Sequence, residues 1–463
     1  MNETMSFCIS MKHQRSFSIC SLFFCFFAFY FKVVLTFSYI HLADPKLLFM
    51  RNRLSFCTTL LLYCLLISTT VQSQLQKLYL NPKTPAREKQ SKFIDSLRFI
   101  PLKVKEGVSA GASYNTYATD KYFLLVDYLN KVLRFYSKTG DFVKEIKYSR
   151  LGGNFYPNYR EASNQIMFLG DNKNYTLTEK DRIKIKLDWD NPRNRKYFKK
   201  YTIDLNDPSL TIKKDIPDEK DILQVYHYYG DYYLQLRVAV SPLNKDSLNH
   251  ELKLYKNNQL VKSFFPYNPV REPRFLYTEE TVASIETDTP HIHFITRPYC
   301  DTVYKMIKDS LFPAYQLVLP LENSLPSSFF TKPFKNKTER DNFNQNNGWI
   351  FHQVYDFHET PQFIFFLVAY LSNYDAYIYE KSTNVTYKTK NIKPDSSQYN
   401  LQLLGDFGVT RKGDRSYKPQ KAADFISFFE ENKNVPVPKE LESFLKSKPP
   451  GTTPVIVEFK FKN

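Results

Sequence analysis

Short apolar runs separated by turn residues recur along the chain from about residue 97 onward. The first group comprises Tyr122–Val126, Lys131–Tyr136 and Asp141–Ile146, with a Ser-Lys-Thr-Gly turn that ends at Gly140. Short runs rich in β-branched and aromatic side chains, joined by tight connections, are typical of antiparallel strands. The pattern therefore predicts a three-stranded meander over residues 122–146.

Comparable groups follow with a period of roughly 40 to 60 residues. The second comprises Gln165–Leu169, Asp181–Leu187 and Lys200–Leu205, the third comprises Tyr232–Val238, Glu251–Tyr255 and Gln259–Phe265, and later ones span Val282–Leu319, Trp349–Lys390 and Tyr399 to the carboxyl terminus. Because one small meander cannot bury both of its faces, repeated meanders predict a β-propeller. A pair of β-sandwiches or a large Greek-key barrel is the alternative interpretation of the same strands.

The carboxyl-terminal region predicts how the repeats end. One helix is expected over Pro438–Lys446, where Leu441, Phe444 and Leu445 lie at helical spacing before a Pro-Pro-Gly sequence. The strand Val455–Phe461 is expected to pair beside Leu97–Leu102, because such closure removes exposed sheet edges. The prediction is a single six-bladed β-propeller over residues 97–463, all-β apart from this helix.

Two apolar stretches precede the repeats. The second, Leu54–Ile67, follows Met50-Arg-Asn-Arg53 and is succeeded by Val71 and Ser73, small enough for the −3 and −1 positions of a signal peptidase site. Residues 50–73 are therefore predicted to be a signal peptide, and the polar residues 74–96 a linker. Residues 1–49 are interpreted as an upstream extension, with translation beginning at Met50. A transmembrane helix over Phe17–Leu42 is the alternative, and would anchor the protein to a membrane.

Composition excludes several classes of function. The chain has 463 residues and only 12 glycines, and it contains neither a dinucleotide-binding G-x-G-x-x-G nor a P-loop motif. G-x-S-x-G and H-E-x-x-H hydrolase motifs are also absent from the sequence. The formal net charge is +17, but lysines and arginines are scattered among acids, so nucleic-acid binding is not expected. Five of the six cysteines precede residue 73, so Cys300 has no partner for an internal disulfide.

Three stretches resemble an exported family of six-bladed β-propellers from Gram-negative bacteria, similar in shape to NHL-type propellers. They are Phe123–Phe142 with its Asp127, Phe135 and Gly140, then Tyr299–Tyr304 followed by Pro313–Tyr315, and finally the closing segment Thr453–Lys462. The resemblance implies the propeller fold and export, but it supplies no catalytic residue. The glycine-rich segment expected after the first repeat is reduced here to residues 151–157.

Several residues have side chains capable of chemistry. His291 and His293 alternate on a predicted strand, which could begin a metal site, but a hydrogen-bonded or solvated pair is preferred because no third ligand follows. His352 and His358 flank Asp356 and Glu359 near a predicted loop, with the same preference.

The remaining candidates have structural explanations that we prefer. Cys300 is expected to be a small buried hydrophobe, since the sequence offers it no obvious histidine partner. Tyr226–Tyr229 with Tyr232 and Tyr233 could stack on sugar rings, but strand packing is preferred.

No set of catalytic, cofactor-binding or metal-binding residues therefore emerges, and no cofactor is expected. The predicted function is an exported, monomeric, non-catalytic binding or scaffold propeller with an unidentified ligand or protein partner at one face. The alternative is an exported enzyme acting on a carbohydrate or other small molecule at the propeller axis.

Overall fold

Strands dominate the described part of the chain, and they form six sheets. The structure is a computed structural model, and it describes residues 75–83, 85–104, 114–151, 157–181, 192–218, 221, 225–236, 249–257, 259–267, 282–287, 289, 291–331, 334–405, 410–412 and 415–462. The leader predicted over residues 1–73 lies outside this part. The protein is mostly β, as the repeated apolar runs predict.

The first three sheets are antiparallel meanders that follow one another along the chain. The first contains β3 (Tyr114–Ala118), β4 (Tyr122–Asp127), β5 (Val132–Ser137) and β6 (Phe142–Lys147). The second contains β7 (Asn158–Arg160), β8 (Gln165–Asp171), β9 (Phe198–Asp204) and β10 (Ile212–Asp215). The third contains β11 (Val225–Tyr229), β12 (Tyr232–Leu236), β13 (Asn249–Lys256) and β14 (Gln259–Tyr267).

The other three sheets repeat this arrangement, but two of them gain a strand from the amino-terminal segment. The fourth contains β15 (Ala283–Glu286), β16 (Ile292–Thr296), β17 (Thr302–Ile307) and β18 (Ser310–Val318), with β1 (Gln76–Tyr79) added. The fifth contains β19 (Phe351–Glu359), β20 (Phe363–Tyr370), β21 (Tyr374–Glu380) and β22 (Val385–Lys388). The sixth contains β23 (Thr410–Lys412), β24 (Arg415–Lys421) and β25 (Pro454–Phe461), with β2 (Ile94–Pro101) added.

The predicted pairing of the two ends of the repeat region is confirmed. Strand β2 is antiparallel to β25, with Leu97 opposite Phe459 and Pro101 opposite Val455. Strand β25 is also hydrogen-bonded to β24 on its other side, so it is a central strand of the sixth sheet. Both of its faces are buried, which explains why the run Val455–Val457 is continuously apolar rather than alternating.

Buried side chains connect successive sheets face to face. One cluster joins the first and second sheets through Phe135 and Phe168, and others join the third to the fourth, the fourth to the fifth and the fifth to the sixth. A further cluster, which includes Phe123 and Ile456, joins the first sheet to the sixth. The first strands of the sheets also approach one another, since β23 contacts β3 and β15 contacts β19.

The turn predicted to end at Gly140 closes the β5–β6 hairpin. Gly140 has a φ of 90°, and a Cβ at this position would overlap the carbonyl oxygen of Pro101. The Gly140 carbonyl accepts a hydrogen bond of 2.8 Å from the Lys103 amide. Glycine is required here because it combines a positive φ with close backbone approach.

The amino-terminal segment differs from the predicted linker. Strand β1 adds in parallel to the outer edge of the fourth sheet, and Ala86 forms a parallel bridge to Tyr387 on the outer edge of the fifth. The buried Gln90 amide then donates to Gln398 and accepts from the amides of Leu403 and Leu404. This segment covers strand edges that would otherwise be open.

Four helices lie wholly within the described part of the chain, where the sequence predicted one. They are α1 (Ser327–Thr331), α2 (Lys337–Asn346), α3 (Ala422–Glu431) and α4 (Lys439–Lys446). Helix α4 confirms the prediction for Pro438–Lys446. The strand predicted over Asp181–Leu187 lies outside the described residues, apart from Asp181 itself, which is helical.

Candidate functional site

Four charged side chains from four different sheets meet beside the ends of the first strands. Lys412, at the end of β23, forms an ion pair with Glu161, and its Nζ lies 3.7 Å from Oδ1 of Asp120. The carboxyl group of Glu286, at the end of β15, is hydrogen-bonded to that of Glu161. We refer to Asp120, Glu161, Glu286 and Lys412 as the inter-sheet cluster. It unites the first, second, fourth and sixth sheets.

The carboxyl pair in this cluster has an unusual protonation equilibrium. Burial, followed by the charge of Glu161 and the hydrogen bond to it, raises the pKa of Glu286 to about 7, although Lys412 acts in the opposite direction. Two carboxylates in contact cannot both ionise easily, so the pair titrates as a unit and retains a proton in weak acid. The cluster can therefore both donate and accept hydrogen bonds near neutral pH.

Glu286 is open to water even though protein atoms surround it closely enough to raise its pKa. Asp356 on β19 has the same combination: it is exposed, yet burial raises the pKa of its carboxyl group. Water therefore reaches both carboxyl groups, although neighbouring protein atoms raise their pKa values.

Lys412 and its neighbour Tyr159 contribute a cation and a neutral phenol beside the two glutamates. Burial alone would lower the pKa of Lys412, but the hydrogen bond to Glu161 and the charges nearby raise it, so the ammonium group stays protonated. The Tyr159 hydroxyl donates to Oδ1 of Asn164 at 3.2 Å, and its ring centroid lies 6.1 Å from that of Tyr117. Burial raises the pKa of Tyr159 to about 12, which keeps the phenol neutral.

A second group of polar side chains lies beside the same strand. Arg411, the residue before Lys412, donates from Nη1 to the backbone carbonyl of Asp356 at 3.4 Å. Burial and then the charge of Arg411 lower the pKa of His358 to about 3, so this imidazole is neutral at ordinary pH. Asp356 has a φ of 49°, within a β-bulge of strand β19. The bulge re-aims the side chains that follow it.

The first pair of candidate histidines does not form a metal site with other described residues. His293 is buried on β16, its Nδ1 lies 2.8 Å from Oγ of Ser284, and its ring meets that of Tyr228 edge-on at 4.6 Å. His291 precedes the strand and lies 6.0 Å from the ring of Tyr229. The preferred interpretation, a hydrogen-bonded histidine, is confirmed for His293.

The second group of candidates occupies a strand rather than a loop, so that expectation is wrong. His352, Asp356, His358 and Glu359 all belong to β19. His352 is buried against the Tyr299 ring at one end of the strand. Glu359 forms an ion pair of 2.7 Å with Lys381. These side chains therefore do not form one site, and only Asp356 and His358 lie near Arg411.

Cys300 and the tyrosine group have structural surroundings. Cys300 is partly exposed rather than buried as expected, and its Sγ lies 4.0 Å from the hydroxyl oxygen of Tyr304. Tyr228 is buried and donates its hydroxyl to the carbonyl of His291 at 2.8 Å. Tyr229 stacks on Tyr232 at 5.3 Å with nearly parallel rings. The side chain of Tyr226 lies outside the described residues.

No group of three or more histidines, cysteines, aspartates and glutamates is placed to hold a metal ion in the described part of the chain. No helix within the described ranges is long and apolar enough to cross a membrane.

Comparison with solved structures shows a likeness of fold. A protein from Bacteroides fragilis NCTC 9343, described as exported, superimposes with a TM-score of 0.50 at 13% identity, over 84% of this chain and all of that one. A member of the duf4221 family from Bacteroides vulgatus ATCC 8482 gives a TM-score of 0.39 at 10% identity, over 81% and 99% of the two chains. No family model and no curated protein matches the sequence.

The inter-sheet cluster was not found from the sequence because its members are far apart in the chain. They share a position in the repeat, however. Each lies at, or within two residues after, the end of the strand that begins the meander of its sheet, namely β3, β7, β15 and β23. Aligning the repeats on these strands would have revealed a charged residue within two positions of the strand end in four of them.

Proposed function

We propose that this protein is an exported six-bladed β-propeller that binds a ligand without transforming it. The six successive sheets would be the blades, and the sixth would close the ring because it contains both β2 and β25. The buried cluster between the first and sixth sheets supports this arrangement, since only a ring brings the first and last repeats face to face.

The ligand site that we propose is the inter-sheet cluster. The observation that carries this proposal is the meeting of Lys412, Glu161 and Glu286 from the sixth, second and fourth sheets. In a six-bladed ring these are alternate blades, so their side chains can meet only near the axis. A cation, a protonated carboxyl group and tyrosine hydroxyls there suit a small polar molecule.

The spacing of the carboxyl groups favours binding over glycoside hydrolysis. Glycosidases hold their two carboxyl groups roughly 5 to 9.5 Å apart, to leave room for the sugar and a water. Glu161 and Glu286 are instead hydrogen-bonded to each other. An enzyme acting on a carbohydrate or other small molecule is the second candidate, because a carboxyl group with a pKa of about 7 could act as a general acid or base.

A ligand screen with matched variants tests both candidates. The purified protein is screened by thermal shift against neutral sugars, amines and carboxylic acids, because a ligand at 100 times its Kd stabilises by about 2.7 kcal/mol. Hits are measured by calorimetry with Glu286→Gln and Lys412→Met, and with Glu430→Gln on the exposed surface of α3 as the control. Saturable binding that only the cluster variants weaken supports the proposal. Turnover of a hit would favour the enzyme, and hits unaffected by the cluster variants would refute this site.

Export is supported by the features of residues 50–73, and it agrees with the description of the similar Bacteroides fragilis protein. The expected amino-terminal residue of the native mature protein is Gln74 or a near neighbour, in a form released from the periplasm by osmotic shock. Terminal sequencing of the native protein checks this. Recovery of peptides from before Met50 would contradict the proposed start and favour a membrane anchor.

A further inference from the structure

Helix α2, between strands β18 and β19, contains a buried arginine. Its sequence, Lys-Thr-Glu-Arg-Asp-Asn-Phe-Asn-Gln-Asn, is strongly polar, and it is capped by Asn336, whose side chain accepts from the Glu339 amide at 2.9 Å. Arg340 is the buried residue of this helix, with 1% of its surface exposed. Such a helix would ordinarily turn its charged groups to solvent. The position of Arg340 therefore requires a separate explanation.

Aromatic rings enclose the Arg340 guanidinium group. Its Cζ lies 4.7 Å from the ring centroid of Phe329, 5.0 Å from that of Phe334 and 5.4 Å from that of Tyr299. Nη2 donates a hydrogen bond to the Tyr299 hydroxyl group. Cation–π contacts of this kind are stronger when they are desolvated, as they are here. They stabilise the cation, but they supply no negative charge.

The guanidinium group lacks a counter-charge among the described residues. Among the described residues, the Arg340 guanidinium group forms one hydrogen bond, to the Tyr299 hydroxyl group. No described carboxylate forms an ion pair with it. Nη1 is buried and has no hydrogen-bond partner in the described part of the chain. Arginine remains protonated in proteins, and burial of an unpaired charge strongly destabilises the folded state. An anion beside Nη1 would remove this cost.

Asn344 offers a second polar group on the same face of α2, one turn beyond Arg340. Its Oδ1 is also buried without a partner among the described residues. The oxygen and nitrogen of an asparagine amide are interchangeable by rotation, so the buried position can equally be taken by the NH2 group. Arg340 Nη1 and Asn344 Nδ2 would then both present N–H groups from positions i and i+4.

We propose that Arg340, with Asn344, holds a small monovalent anion such as chloride inside the aromatic enclosure. The anion accepts hydrogen bonds from Arg340 Nη1 and from the Asn344 amide, and it neutralises the guanidinium charge. A monovalent ion fits these two donors, whereas a divalent oxyanion would require more donors to offset its desolvation. Occupancy stabilises the packing of α2 against Phe329 and Phe334.

Bromide provides a direct test of the position. The full-length protein is crystallised in sodium bromide, and diffraction data are collected at the bromine absorption edge. We expect an anomalous peak within hydrogen-bonding distance of Arg340 Nη1. Water density without an anomalous peak at that position would overturn the proposal.

Thermal unfolding in solution tests the energetic consequence. We expect Tm to rise saturably, by a few degrees, when sodium gluconate is replaced by sodium chloride at constant ionic strength. Arg340→Met should abolish this chloride dependence, and Lys337→Met, which removes an exposed cation from the same helix, should leave it unchanged. Equal Tm values in the two salts would contradict the proposal, as would persistent chloride dependence in Arg340→Met.

A second variant keeps the test decisive if Arg340→Met fails to fold. Asn344→Leu retains the arginine and removes one donor, so the chloride concentration for half-maximal stabilisation should increase about tenfold. An unchanged chloride titration in Asn344→Leu would show that the amide takes no part. That result alone would overturn the proposal, because the proposed site needs both donors.

Discussion

Replacement of Glu286 by glutamine isolates the free-energy cost of ionising one carboxyl group within the inter-sheet cluster. Burial and Glu161 raise the pKa of Glu286 from an ordinary value of 4.5 to about 7. A difference of this size corresponds to about 3 kcal/mol at 1.36 kcal/mol per pH unit. Because water reaches the side chain, solvent screening should reduce the measurable effect to about 1–2 kcal/mol. Glutamine preserves the shape and a hydrogen bond to Glu161 but cannot ionise.

The sign of the pH dependence follows from proton binding. Between pH 4.5 and about 7 the folded protein retains a proton at Glu286 that the unfolded chain releases. The free energy of unfolding of the wild type should therefore fall as pH rises through this interval, and this contribution should level off above it. In the Glu286→Gln variant the free energy of unfolding should not decrease in this way as pH rises. The variant should match the wild type at pH 4 and exceed its free energy of unfolding by about 1–2 kcal/mol at pH 8.

Equilibrium unfolding in urea, repeated between pH 4 and pH 9, measures this difference. Glu430→Gln is the control because Glu430 is exposed on α3, and its profile should run parallel to that of the wild type. A Glu286→Gln profile that is also parallel to the wild type would refute the reasoning. It would mean that the carboxyl group is as well solvated in the folded protein as in the unfolded chain.

Three other changes test the fold and the cluster. Glu251→Gln should lower the free energy of unfolding by about 3–5 kcal/mol, since it leaves the Arg297 guanidinium group without its carboxylate. Urea unfolding measures this loss, and a loss below about 1 kcal/mol would contradict the prediction. Lys412→Met leaves Glu161 without its cation, so it should lower Tm more at pH 8 than at pH 5, and an equal loss at both would argue against the ion pair. Removal of residues 454–463 deletes β25, a central strand of the sixth sheet, so the shortened chain should show no cooperative unfolding transition by circular dichroism. A cooperative transition like that of the full chain would contradict closure through β25.

The sequence predicted the strands best where local pattern and tertiary environment agree. Residues 122–146 form the expected meander, because tight turns and apolar runs define hairpins locally. The pairing of β2 with β25 was predicted only because the propeller hypothesis requires closure. Helix α3 was missed although Phe425, Phe428 and Phe429 have helical spacing, since a short aromatic-rich segment also suits a strand.

The errors involve contacts that no local pattern encodes. Residues 74–96 are polar and contain prolines, so they suggested a linker, yet β1 forms because the distant edge of β18 offers it backbone partners. Polar residues are tolerated in such an edge strand because one side remains near solvent. His358 and Asp356 likewise belong to a strand, and the bulge that redirects them is a property of its pairing with β20.

The amino-terminal segment also constrains the order in which the protein can fold. Strand β1 pairs with β18, Ala86 with Tyr387, and β2 with β25, so residues near the start of the described chain contact three successive sheets near its end. Pairings between such distant segments incur a large loop-closure entropy before they stabilise the fold. Meanders such as β3–β6 need no distant partner and can form first. The sixth sheet cannot be completed until β25 is available, so the contacts of β2 with β25 must form after the last strand has been synthesised.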